Sequence, residues 1–209
     1  MAFLKRGFAL MSVLMVMTGN PGQAGVTYLG AEASTKTWVY LCGLTDDMHS
    51  EHELENRQVL DHLGKKLHIR FLAIHPFERC ELAGNLLCWR HYTIGETLAT
   101  YDKILNAIGD TKIIGFLGFS NGGFFLNQLA QMRELNCPII SVGAVGSFFS
   151  PSVRNNLTLI IGKTEPAHDA VHQFVHYSKG SPLKVRLIVH DGGHILPIHE
   201  LEPLLKELS

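Results

Sequence analysis

Six short apolar runs alternate with helix-compatible stretches from residue 37 to the end of the chain, and this alternation limits the fold more than any other feature. TWVYLCG (37–43), IRFLAI (69–74), KIIGFLGF (112–119), PIISVGAVG (138–146), LTLIIG (157–162) and VRLIVH (185–190) have the β-branched and aromatic content of buried strands. Helices are expected between them near 51–66, 93–108, 122–135 and 166–179, with a last one near 197–208. A β-α order of this kind predicts an α/β fold, a mostly parallel sheet covered by helices on both faces. VTYLGAEA (26–33) is a candidate edge strand. No Pro/Ser-rich linker, repeat or low-complexity block interrupts the pattern, and 209 residues suit one domain better than two. Residues 25–209 are therefore read as a single domain.

The first 24 residues are set apart from it. Lys5 and Arg6 precede an uncharged apolar run from Phe8 to Met17, followed by a turn-forming segment and the small-x-small signature Gly22-Gln23-Ala24. This is the layout of a secretory signal peptide cut after Ala24, which predicts an exported protein, periplasmic or secreted. The run is shorter than the ~20 apolar residues a membrane-spanning helix needs, and no later segment reaches that length, so no stable membrane anchor is expected after cleavage. No cysteine lies near the cut to carry a lipid. Eighteen Lys and Arg stand against 19 Asp and Glu, so no basic excess is available to neutralise phosphates and nucleic-acid binding is not expected.

Export also bears on the four cysteines, because an oxidising compartment permits disulfides. Cys80 and Cys88 bracket the short loop RCELAGNLLCW, which is expected to lie outside the core and to gain from a staple. The competing reading is two reduced thiols, with Cys88 tucked beside Trp89. Cys42 ends one strand pattern and Cys137 precedes another, at opposite edges of the sheet, and both are read as buried free thiols.

In a parallel sheet, chemistry collects at the carboxyl ends of the strands. The sharpest pattern there is Gly118-Phe119-Ser120-Asn121-Gly122-Gly123, directly after KIIGFL and directly before FFLNQLAQMREL. A strand, Gly-x-Ser-x-Gly and a helix follow in the order of a nucleophile elbow, a turn so tight that the serine is strained and flanking side chains would clash. The alternative is a glycine-rich turn that binds phosphate at a helix N-terminus. A serine hydroxyl needs a base, and the base needs a carboxylate to fix its tautomer. Gly162-Lys163-Thr164-Glu165 follows the fifth run and His190-Asp191-Gly192-Gly193-His194 follows the sixth, which gives the chain order Ser120, Glu165, His194. Glu165 leads as the acid because it stands just past the strand end before Pro166. Asp169, a helical turn further on, is the runner-up, and Asp191 lies too close to His194 in sequence to orient it. Donors for an oxyanion are expected from the backbone amides of Asn121 and Leu44.

On these residues the chain resembles the α/β-hydrolases over nearly all of 26–209. Phe119-Ser120-Asn121-Gly122-Gly123 is similar to elbows of secreted polyester depolymerases, feruloyl-esterase-like members and carboxylesterases. The resemblance implies a serine hydrolase of carboxylic esters, small-molecule or lipid-like, acting through an acyl-enzyme with no metal or organic cofactor. It departs from the family where Cys42-Gly43 replaces the frequent His-Gly, and where Glu165 stands for the commoner Asp. The stretch between Gly146 and Leu157 is too short for a cap domain, so an open site is expected. A peptidase, a thioesterase and a non-catalytic binding module on the same scaffold remain alternatives.

The remaining patterns carry less. His168, His172 and His176 would line one helix face and His49 and His52 a second pair, each read as a solvated stripe rather than a metal site. Asp46 and Asp47 are expected to cap the helix starting near Ser50. Phe124, Phe125, Phe148 and Phe149 are candidates for an acyl pocket, with Phe124 and Phe125 equally suited to the core.

Overall fold

The computed structural model describes residues 25–47 and 49–209. The expected signal peptide, residues 1–24, lies outside them. Among the described residues nine strands and five α-helices follow in chain order: β1 (Val26–Gly30), β2 (Thr37–Leu41), α1 (Glu51–Leu67), β3 (Arg70–Ile74), β4 (Glu78–Cys80), β5 (Leu86–Cys88), α2 (Ile94–Ile108), β6 (Ile113–Phe119), α3 (Asn121–Met132), β7 (Ile139–Val142), β8 (Asn156–Gly162), α4 (His168–Ser178), β9 (Lys184–His190) and α5 (Ile198–Leu208).

Seven strands form one sheet in the order β1-β3-β2-β6-β7-β8-β9. Every neighbouring pair is parallel except β1 with β3, so the candidate edge strand is present and closes that edge antiparallel. The central strands are buried on both faces. Trp38 to Leu41, Phe116, Leu117, Phe119, Ile139, Ile140 and Leu159 to Ile161 have essentially no solvent contact. This is why they read as continuous apolar runs rather than alternating ones. Helix α1 packs on α5, and α2 packs on α3, which covers the two faces. Helix α2 opens with a reciprocal cap in which Thr93 Oγ1 accepts from Glu96 N at 3.1 Å while Glu96 Oε2 accepts from Thr93 N at 3.1 Å.

Several boundaries differ from expectation for local reasons. The strand expected over 138–146 ends at Val142, because Gly143 adopts φ +63° and turns the chain off the sheet. Helix α3 stops at Met132 rather than residue 135. There Asn155 Nδ2 donates to the carbonyls of Ala130 and Arg133 at 2.7 Å each, and its Oδ1 accepts from Leu135 N, which satisfies the helix end. Helix α4 begins at His168, after two linked turns in which Glu165 N donates to Gly162 O and His168 N to Glu165 O. Asp46 and Asp47 do not cap α1: Asp47 Oδ1 accepts from His49 N at 3.0 Å, and the Asp46 carbonyl accepts from Arg79. Cys42 is a buried free thiol as expected, whereas Cys137 is only partly buried.

The region between β3 and α2 holds an element the sequence pattern does not announce. Strands β4 and β5 pair antiparallel around a 3-10 turn at Glu81–Ala83, and a disulfide joins Cys80 to Cys88 across a Cα separation of 5.9 Å. The bonded pair is buried rather than outside the core, with Trp89 beside it wholly enclosed. The hairpin is hydrogen-bonded back to the chain leaving β2. Thr45 N donates to Leu87 O at 3.3 Å and Leu87 N to Thr45 O at 2.7 Å.

Candidate active site

The carboxyl ends of β2, β6, β7, β8 and β9 converge on one group of residues. Ser120 stands between β6 and α3 with φ +52° and ψ −116°, a conformation strained for a residue with a side chain. Neighbours over-determine it. Ser120 N donates to Val142 O at 2.8 Å, Phe124 N to Ser120 O at 2.9 Å, and Gly122 N to Cys42 O at 3.0 Å. A methyl at Gly118 would meet the Gly122 carbonyl at 2.5 Å, and one at Gly122 would meet the Leu41 carbonyl at 2.2 Å, so the turn closes only with glycine at both places. The Gly-x-Ser-x-Gly spacing thus reflects backbone-to-backbone contact.

From the ends of β8 and β9, Glu165 and His194 meet. His194 Nδ1 lies 2.7 Å from Glu165 Oε2, while Glu165 Oε1 accepts from Gly162 N at 3.0 Å. The glutamate side chain is 2% exposed and the imidazole 44%, so the pair has a buried foot and an open head. The imidazole packs against Phe119, the residue before Ser120, with ring centroids 4.7 Å apart. Gly143 supplies the floor. A methyl there would sit 2.8 Å from His194 Nδ1 and 3.2 Å from Glu165 Oε2, a role the sequence pattern does not reveal. Asp169 and Asp191 take no part: Asp169 is exposed beside His168, and Asp191 is exposed and paired with Lys163.

The turn after β2 forms the other side. Gly43 lies against Ser120, since a methyl on it would be 3.0 Å from Ser120 Cβ and 3.6 Å from Oγ. The amides of Leu44 and Asn121 find no acceptor among the described residues, which leaves both N–H groups available. Trp89 ties the two sides together. Its Nε1 donates to Cys42 O at 2.9 Å and its backbone N to Asn121 Oδ1 at 2.7 Å. Burial pushes the Cys42 thiol well above its ordinary range, so it stays protonated under this turn.

Beneath the same side runs a buried polar chain. Tyr40 Oη donates to Glu53 Oε2 at 3.2 Å, Arg57 Nε to Glu53 Oε1 at 2.9 Å, and Arg57 Nη2 to His75 Nε2 at 3.2 Å. Burial, then Arg57, hold His75 down to about 4, so its ring is neutral and accepts at Nε2. Burial raises the Glu53 carboxyl, and its bonds from Arg57 oppose that shift.

Of the acyl-pocket candidates, Phe125 belongs to the core against Trp89. Phe124 stacks on His91 with ring centroids 6.0 Å apart, and His91 on Tyr92 at 5.3 Å, which makes an aromatic shelf on the elbow helix. Phe148 leans edge-on against Phe174, and Phe149 is exposed. His52 packs on Phe119, and His168 on His172, with ring centroids 5.3 and 4.7 Å apart. Among the described residues no three or more His, Cys, Asp or Glu are grouped so as to hold a metal ion.

The backbone matches known structures over nearly its full length. A carboxylesterase of Bacillus cereus superposes with a TM-score of 0.65 at 13% identity, covering 88% of this chain and 92% of the other. The Pyrococcus furiosus esterase Pf2001 gives 0.56 at 17% identity, with 92% and 96% covered. An alpha-beta serine hydrolase homologue from Coxiella burnetii gives 0.52 at 17% identity, with 91% and 94% covered. The chain has the α/β-hydrolase fold. No protein-family model matches the sequence, and no curated protein matches it. At these identities the likeness is one of fold alone, and function resides in the site.

Proposed function

We propose that the chain is an exported serine hydrolase that cleaves carboxylic esters, small-molecule or lipid-like, through an acyl-enzyme on Ser120. The observation that carries this reading is the pairing of the His194 imidazole with a buried Glu165 at 2.7 Å, the imidazole packing on Phe119, the residue before a serine held at positive φ. Ser120 Oγ attacks the ester carbonyl carbon as His194 Nε2 takes the hydroxyl proton. Glu165 accepts from Nδ1–H and stabilises the imidazolium without itself taking the proton. Negative charge developing on the carbonyl oxygen is met by the N–H groups of Leu44 and Asn121. The tetrahedral adduct collapses as His194 returns the proton to the leaving alcohol. Water, deprotonated by the same imidazole, then attacks the acyl-enzyme, and the acid leaves with Ser120 restored.

Export rests on the Lys5 to Ala24 pattern, with the Cys80–Cys88 disulfide as support, since such bonds persist in oxidising compartments. No helix among the described residues is long and apolar enough to cross a membrane. Neither a membrane anchor nor nucleic acid is a proposed partner. Turnover measured on matched ester, thioester and peptide substrates tests the reaction class. The ester is expected to be cleaved fastest, and preference for the peptide or thioester would replace this reading with a different acyl transfer.

A further inference from the structure

Trp89 is not part of the elbow, the acid or the base, yet it is bonded to both segments that carry the available amides. Its indole N–H donates to the Cys42 carbonyl, the peptide that leads into Gly43-Leu44, and its backbone N–H donates to the Asn121 side chain at the start of α3. The Cys42 carbonyl also accepts from Gly122 N, so one oxygen joins the turn after β2, the elbow and the indole. Trp89 is wholly buried, packed against Phe77 edge-on and against Phe125, which leaves the indole little freedom to move away. It directly follows Cys88, the end of the disulfide-closed hairpin. That hairpin holds the outer part of the same turn through the paired bonds between Thr45 and Leu87 and through Arg79 Nη2 donating to Asp46 O at 2.9 Å.

We infer that Trp89 is a positioning residue for the oxyanion hole, and that the stapled hairpin exists in this fold to seat it. This rests on the functional reading above, in which Leu44 and Asn121 are the oxyanion donors. Hydrogen bonds to a developing oxyanion act only if the donors already sit at its position, and small displacements at such a site are costly. The two donors here belong to segments 77 residues apart in sequence, one of them an exposed turn at Leu44. Trp89 is bonded to both, through its indole to the Cys42 carbonyl and through its backbone N–H to Asn121 Oδ1, and the indole adds to the one Gly122 N–H bond by which the elbow holds the same carbonyl.

The test compares Trp89→Phe with Trp38→Phe. Trp38 is equally buried, but its Nε1 donates to Ser209 Oγ at 3.1 Å, away from the site, so both variants lose one indole hydrogen bond and only one touches the hole. Three readouts are taken: kcat and KM on a p-nitrophenyl ester, affinity for a boronic acid that forms a tetrahedral serine adduct, and amide hydrogen exchange of residues 43–47. Trp89→Phe is expected to lower kcat about 10-fold or more with KM within about 2-fold, to weaken the boronate in step, and to speed exchange in the turn. Trp38→Phe is expected to lower stability and leave all three near wild type. Equal losses in both variants, or wild-type kcat and exchange in Trp89→Phe, overturn the inference while wild-type ester hydrolysis keeps the functional reading intact. A wild-type protein that hydrolyses no ester and takes no boronate, with turn exchange still faster in Trp89→Phe, removes the functional reading and retains Trp89 as the clamp of the turn.

Discussion

The two sides of the site are built in different ways. His194 and Glu165 are held by contacts among adjacent strands, with β8 and β9 in register and Gly162 opposite His190, so the loops that follow start from one point. The opposite side, Cys42 to Thr45, leaves its strand as an irregular turn and is held by a hairpin inserted after β3, by one indole and by a buried polar chain under β2. In the proposed mechanism, acid and base therefore come with the sheet, whereas the oxyanion side is assembled from several parts of the chain. The first arrangement should fail through chemistry and the second through geometry.

Glu165→Gln breaks the first side and carries the largest expected effect. Glutamine keeps Oε1 for the Gly162 amide but presents no carboxylate to the His194 Nδ1–H, so the fold persists and the imidazolium loses its partner. Turnover is expected to fall by about 10³-fold or more with little change in melting temperature. Asp169→Asn, measured in parallel, should change turnover less than about 2-fold, since that carboxylate is exposed and bonded only to its neighbour. A larger loss from Asp169→Asn would exchange the two roles.

A pH dependence of stability sharpens the second side. His75 titrates near 4 when folded against 6.5 ordinarily, so the unfolded chain binds its proton first as pH falls. The contribution is complete above pH 6.5 and is lost as pH drops toward 4. For a ring that keeps partial solvent contact this amounts to about 2 kcal/mol. Denaturant unfolding at pH 7 and pH 4.5 should show this loss in the wild type and a flatter dependence in His75→Gln. Identical pH profiles would mean that burial and Arg57 do not hold His75 neutral in the folded chain.

The same contrast explains what the sequence makes legible. The strand-turn-helix around Ser120 is local, and Gly118 follows from a clash with Gly122 four residues on, so the motif is legible in one window of sequence even though Gly122 itself is required by the distant Leu41 carbonyl. Glu165 and His194 are far apart in sequence, but each follows a strand pattern by three or four residues, and parallel pairing turns that shared offset into proximity. Trp89 and Gly143 have no such signal. Trp89 acts through a hairpin of three-residue strands too short for periodicity to reveal, and Gly143 looks like one more small residue in PIISVGAVG until its left-handed φ shows that the strand has ended. The capping role expected of Asp46 and Asp47 failed for a related reason: the hairpin claims the Asp46 carbonyl, and Asp47 closes a tight turn onto His49 before α1 begins.

Covalent labelling with a fluorophosphonate followed by peptide mapping reads directly whether Ser120 forms the proposed acyl-enzyme. One phosphonyl group per chain is expected on the peptide containing Ser120, and no labelling of Ser120→Ala at the same protein concentration. Labelling that persists undiminished in Ser120→Ala, or that maps to another residue, would contradict it.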